Sequence, residues 1–138
     1  MAIGFKVKYF WYQIGAEDFL HAFFSNICYH LENKKWGSKY NVIMNKLYSG
    51  ELRFEDINNA LNELDEIKNK LKLISPNKVI WDIDNLDAKP PWGNNISAEI
   101  TDLSNYFVTS DGEDFITILQ HALEKAASLK TSLEIESI

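Results

Sequence analysis

The chain has 138 residues, of which 46% are hydrophobic, 25% charged and 13% aromatic, with a net charge of −6. That size and composition predict one globular domain, residues 1–138, able to build a core without staples. Cys28 is the lone cysteine, which excludes an internal disulfide framework and a cysteine-based zinc site. The opening residues lack the pattern of a signal peptide, and no apolar run approaches a membrane span. The expectation is a cytoplasmic protein that binds neither membrane nor nucleic acid, the acidic balance arguing against the latter.

Residues 3–13 begin with Ile3, Phe5, Val7, Tyr9 and Trp11 on one parity and Lys6 and Lys8 on the other. This alternation predicts a half-buried strand. Phe10 and Tyr12 extend the apolar character to the second face. Gly15 ends the strand, and a helix is predicted over 16–33. Glu17 and Asp18 fall in its first turn, where the helix dipole favours acids. Leu20, Phe23, Phe24, Ile27, Cys28 and Leu31 form its buried stripe. Cys28 therefore reads as a core residue. Trp36-Gly37-Ser38 is a turn with Ser38 as an N-cap. A short helix carrying Val42, Ile43, Met44 and Leu47 stops near Gly50.

A longer helix is predicted over 54–73, with Ile57, Leu61, Leu64 and Leu71 on one stripe. That stripe suits a core face or a dimer seam, and the oligomeric state stays open. Ser75-Pro76-Asn77 ends it. Val79-Ile80-Trp81 is predicted as a short buried strand, and 83–104 as a long irregular loop. Such loops are commonly functional or disordered. Residues 106–109 are predicted as a strand, 113–129 as a helix, and 132–138 as an edge strand. This last strand is expected to pair with the first strand or with 106–109. The fold class is α+β: a small sheet holding the N- and C-terminal strands, packed against about four helices.

The charge is unevenly spread. Residues 1–81 carry eleven Lys or Arg and nine Asp or Glu. Residues 82–114 carry eight acids against Lys89 alone, a net −7. A solvated surface explains many such runs. Here the charge coincides with the long loop and is interleaved with Trp81, Trp92, Tyr106 and Phe107. An acidic surface with aromatic anchors suits a basic protein partner. The candidate partner-binding residues are Asp82, Asp84, Asp87, Trp92, Glu99, Asp102, Asp111 and Asp114. Pro90-Pro91-Trp92-Gly93 reads equally as a turn that caps the core with Trp92 or as a stiffened loop that presents it.

Catalytic motifs are weak. Val79-Ile80-Trp81-Asp82-Ile83-Asp84 resembles the strand-end Asp-x-Asp of haloacid-dehalogenase-type phosphatases, whose carboxylates hold Mg²⁺. Leu86 stands where that family has Thr or Val, and too little chain follows. The Asp82-x-Asp84-x-x-Asp87 run lacks the Gly and Glu of a calcium loop. His21, His30 and His121 form no zinc-binding spacing, and each reads as structural. No cofactor, no metal site and no catalytic residue is expected.

Several blocks together resemble the immunity protein 70 family of bacterial polymorphic toxin systems. They are Gly4-Phe5-Lys6-Val7-Lys8-Tyr9-Phe10-Trp11-Tyr12, Trp36-Gly37-Ser38-Lys39-Tyr40, Lys78-Val79-Ile80-Trp81-Asp82, Pro90-Pro91-Trp92-Gly93 and Asn105-Tyr106-Phe107-Val108-Thr109-Ser110-Asp111-Gly112. The resemblance implies a non-catalytic protein in the cytosol of the toxin-producing cell. It would bind and block the C-terminal domain of a contact-dependent or secreted toxin. Many such toxins are nucleases with basic active surfaces, which the acidic segment would complement. The alternatives are a Mg²⁺-dependent phosphatase-like enzyme using Asp82 and Asp84, and a structural adaptor.

Overall fold

The computed structural model describes residues 2–137. Met1 and Ile138, the latter assigned above to the final strand, lie outside the described residues. The sheet is antiparallel with strand order β2-β1-β4-β3. Its strands are β1 (Ile3–Val7), β2 (Phe10–Gly15), β3 (Glu51–Leu52) and β4 (Leu133–Ser137). The α+β expectation holds.

The stretch predicted as one strand is a hairpin. Val7 pairs with Phe10 across a turn at Lys8-Tyr9, and Lys8 takes a left-handed φ of 53°. Ile3, Phe5 and Val7 still bury one face, as alternation requires. On the other face Gly4 lies beneath the Trp11 ring, where a Cβ would meet Trp11 Cζ2 at 2.6 Å. β4 pairs with β1 (Phe5 opposite Ile135) rather than with 106–109. It also pairs with β3, two residues that fall between the two helices predicted to stop near Gly50 and to start at 54.

Among the described residues there are three α-helices, α1 (Glu17–Asn26), α2 (Phe54–Leu71) and α3 (Phe115–Leu129); α1 and α3 pack on the sheet, and α2 packs on α3. α1 ends before the expected 33 and widens into a π-helical turn over Ile27–Leu31. The short helix is also π-helical, over Val42–Leu47. Ser38 does not cap it. The free N–H groups of Val42 and Ile43 donate instead to the Glu63 carboxylate on α2, at 3.3 and 2.8 Å.

α2 buries Ile57, Ala60, Leu64, Ile67 and Leu71, so its stripe is core. α3 buries Phe115, Ile116, Leu119, Ala122, Leu123 and Ala126. Phe5, Phe19, Phe23 and Phe107 gather around Phe115 with ring spacings of 4.5 to 5.9 Å. Contacts of this kind add to simple area burial. Cys28 is buried in the core, and burial pushes its thiol pKa up.

Candidate functional site

Residues 79–114 form no strand or helix, so neither 79–81 nor 106–109 is a strand. Within Val79-Ile80-Trp81, Ile80 spends both of its backbone hydrogen bonds on a side chain. Buried Asn26 donates to the Ile80 carbonyl at 2.8 Å and accepts from the Ile80 N–H at 2.9 Å. An amide side chain thereby takes the place of a neighbouring strand. At 106–109 the ladder is reduced to one bridge between Val108 and Asp114.

More pins hold the segment to the body. His30 Nε2 donates to the Lys78 carbonyl at 2.8 Å. Ile83 N–H donates to Ser25 Oγ at 3.1 Å. Leu103 N–H donates to the Ile74 carbonyl at 3.0 Å, and Ser110 N–H to the Ile14 carbonyl at 2.9 Å. The Asn105 amide accepts from the N–H groups of Thr101 and Asp102 and donates to the Glu99 carbonyl.

The acids fall into two sets. Asp84, Asp87, Glu99, Asp111 and Glu113 are exposed. Asp82, Asp102 and Asp114 are half-buried and internally engaged. Asp114 caps α3 by accepting from Thr117 N–H and Oγ1. Asp102 accepts from Ser104 and Thr101. Burial raises the Asp102 carboxyl, but the hydrogen bonds outweigh that and bring it below the usual value. Asp82 Oδ1 accepts from Asp84 N–H at 2.8 Å and lies 3.1 Å from His21 Nε2. Asp84 Oδ2 approaches the same nitrogen at 3.7 Å.

Trp92 packs one edge inward and leaves the rest of its ring at the surface. Its ring stands edge-on to Trp81 at 5.3 Å, and its Nε1–H donates to Tyr106 Oη at 2.8 Å. It nevertheless keeps 38% of its surface exposed. Ile96 and Tyr106 line both of two clefts beside it. One, of about 480 Å³, also includes Pro76, Val79, Lys89 and Pro90. The other, of about 300 Å³, is lined by Trp92, Ile100 and Val108.

The structure also joins to Asp82 and Asp84 a residue that sequence reasoning set aside. His21 lies 61 positions before Asp82, so no spacing rule finds it. His21 Nδ1 lies 2.7 Å from Tyr48 Oη, and the ring stacks on Trp36 at 6.0 Å and 19°. This arrangement departs from the phosphatase geometry. Asp82 follows no strand, and its Oδ1 lies against His21 Nε2 and the Asp84 N–H.

The chain matches the family model described as Immunity protein 70 over residues 5–135. It belongs to that family. The match runs from β1 into β4 and includes the whole irregular segment. Immunity proteins neutralise toxins, so the general task of this family member is to bind a toxin protein, and the family is in general non-catalytic. No curated protein and no solved structure matches the chain. No helix among the described residues is long and apolar enough to cross a membrane.

Proposed function

We propose that this immunity protein neutralises the C-terminal domain of a contact-dependent or secreted toxin, a nuclease, by laying the acidic segment 82–114 on the toxin's basic surface in the cytoplasm of the producing cell. The observation that carries the reading is the combination of one-signed charge with a pinned backbone. A segment with no helix or strand is tied to the body at Ile83 by Ser25, at Leu103 by the Ile74 carbonyl and at Ser110 by the Ile14 carbonyl, while Asn26 and His30 fix the chain just before it. A segment ordered before it binds avoids much of the entropy cost of ordering on contact.

Asp84, Asp87, Glu99 and Asp111 supply the outward charge that steers a basic partner. Asp82, Asp102 and Asp114 shape the segment. Trp92, braced by Trp81 and Tyr106, is the aromatic anchor. The charge of the segment mimics that of the phosphate backbone that a nuclease binds.

The test uses the triple variant Asp84→Lys, Asp87→Lys, Glu99→Lys. All three side chains are exposed, so the fold tolerates the change. Affinity for the cognate toxin domain should fall at least tenfold, while Asp65→Lys on α2 changes it little. Unchanged affinity in the triple variant refutes the acidic interface.

A further inference from the structure

His21, Asp82 and Asp84 each offer one ligand atom, and the three atoms lie within 4.8 Å of one another. We infer that His21 Nε2, Asp82 Oδ1 and Asp84 Oδ2 form a binding site for a divalent transition-metal ion, zinc foremost. The site shares Asp84 with the proposed toxin-facing surface, but metal binding needs no toxin and can be tested on the isolated chain.

The geometry suits a small cation. Ligand atoms of a tetrahedral zinc site with bonds of about 2.0–2.1 Å lie about 3.3 Å apart. The Nε2 to Oδ1 and Nε2 to Oδ2 separations here are 3.1 and 3.7 Å. Small side-chain rotations bring both onto that edge length. Asp84 is 83% exposed and free to make such a rotation. Asp82 is already oriented by the Asp84 N–H, which leaves lone pairs on the carboxylate available.

The surroundings match what a ligating imidazole requires. Such rings hold their second nitrogen on a hydrogen-bond partner that fixes the ring's orientation. Tyr48 Oη fills that role at 2.7 Å from Nδ1. When Nδ1–H donates to it, Nε2 carries a lone pair that faces two carboxylate oxygens. Three electron-pair donors then converge, and a cation at their centre satisfies all of them. Trp36 stacked behind the ring and Tyr48 against it limit its rotation.

The donor set decides the ion class. An imidazole nitrogen with two carboxylates favours zinc and its first-row neighbours over Mg²⁺ and Ca²⁺, which prefer all-oxygen shells. With three protein ligands, the fourth position is left to water or to a donor from outside the chain.

The experiment is isothermal titration of the chelator-treated full chain with ZnCl₂ near pH 7.5, with Co²⁺ absorption as a second readout. One ion per chain is expected at micromolar affinity. Asp84→Asn, at an exposed position, should weaken binding at least tenfold without shifting the circular dichroism spectrum. His21→Gln should abolish the Co²⁺ charge-transfer and d–d bands of the site. His121→Gln on α3 should change nothing. The inference fails if no zinc binds at micromolar concentration. It also fails if binding survives both Asp84→Asn and His21→Gln, which would place the ion elsewhere. Toxin affinity of the metal-free chain is a separate measurement and decides only the toxin reading.

Discussion

Two irregular segments of this protein solve the same problem in opposite ways. Residues 32–50 and 79–114 both run outside the α-helices for much of their length, and both must satisfy backbone groups that no ladder serves. The first spends carboxylates inward. Glu32 is 3% exposed and accepts from the N–H groups of Gly37, Lys39 and Tyr40, each at 2.9 Å. Glu63 accepts from Val42 and Ile43. Lys34, Lys35, Lys39 and Lys46 are what this segment's own sequence leaves as charge. Gly37, with φ +74°, lets the chain turn tightly around Glu32, and a Cβ there would strike Asn45.

The second segment is held largely by neutral groups: the Asn26 and Ser25 side chains, the Ile14 and Ile74 carbonyls, and its own Asn105. Its acids are thereby released to solvent, apart from Asp82, Asp102 and Asp114. The contrast teaches that an acidic run is not by itself a surface. Which carboxylates face outward depends on what else is present to satisfy the backbone.

The contrast can be broken at its anchors. The largest effect is expected at Glu32→Ala, which strands the buried N–H groups of Gly37 and Tyr40 and the part-buried one of Lys39. Stability should fall by about 3 kcal/mol, or about 10 °C in melting temperature. Thermal unfolding followed by circular dichroism checks it, and a change below about 1 kcal/mol would remove Glu32 from its structural role.

Asn26→Ala should cost less, about 2 kcal/mol, because Ile80 is only half-buried. Its distinguishing sign is local. Amide exchange at Ile80 and Ile83 should speed up, and toxin affinity should fall as the ordering cost moves to the binding step. Faster exchange with unchanged affinity would separate loop order from function.

The smallest effect concerns His30. Burial lowers its pKa from the ordinary value, outweighing the carbonyl of Lys78 that it donates to. The unfolded chain therefore takes up this proton first as pH falls. The stabilising contribution is complete above about pH 6.5 and is lost on acidification through and below that value. His30→Gln should flatten that part of the stability profile, measured by urea unfolding between pH 7.5 and 5.

Much of the architecture was legible because it rests on periodicity. The stripe of α2 and the alternation of Ile3, Phe5 and Val7 are local signals, and all of these residues but the partly buried Leu61 lie in the core. The hairpin was not legible. Its turn at Lys8-Tyr9 contains no Gly, Asn or Pro, and the left-handed φ falls on a lysine. The β-branched run at Val79-Ile80 read as a strand because its partner, the side chain of Asn26, is 54 residues away. π-helical widening after Asn26 likewise leaves no mark in apolar spacing.

The site was legible in part. The acidic run and Trp92 stood out from composition, and Asp82 and Asp84 stood out from their spacing. His21 did not, because a helical histidine beside an apolar stripe carries no signal until the fold brings 21, 48 and 82 together. Nor could the sequence divide the acids into those that shape the segment and those that face a partner. That division follows from hydrogen bonds such as Asp114 to Thr117.

The central claim is that outward acids of residues 82–114 steer a basic toxin onto this protein. Its most direct test is the association rate with the cognate toxin domain, measured by stopped flow from low to high ionic strength. The rate should fall steeply with salt for the native chain. It should be slower and much less salt-dependent for the variant with Asp84, Asp87 and Glu99 changed to Lys. A rate that is insensitive to salt in the native chain, and the same in the variant, would contradict the account.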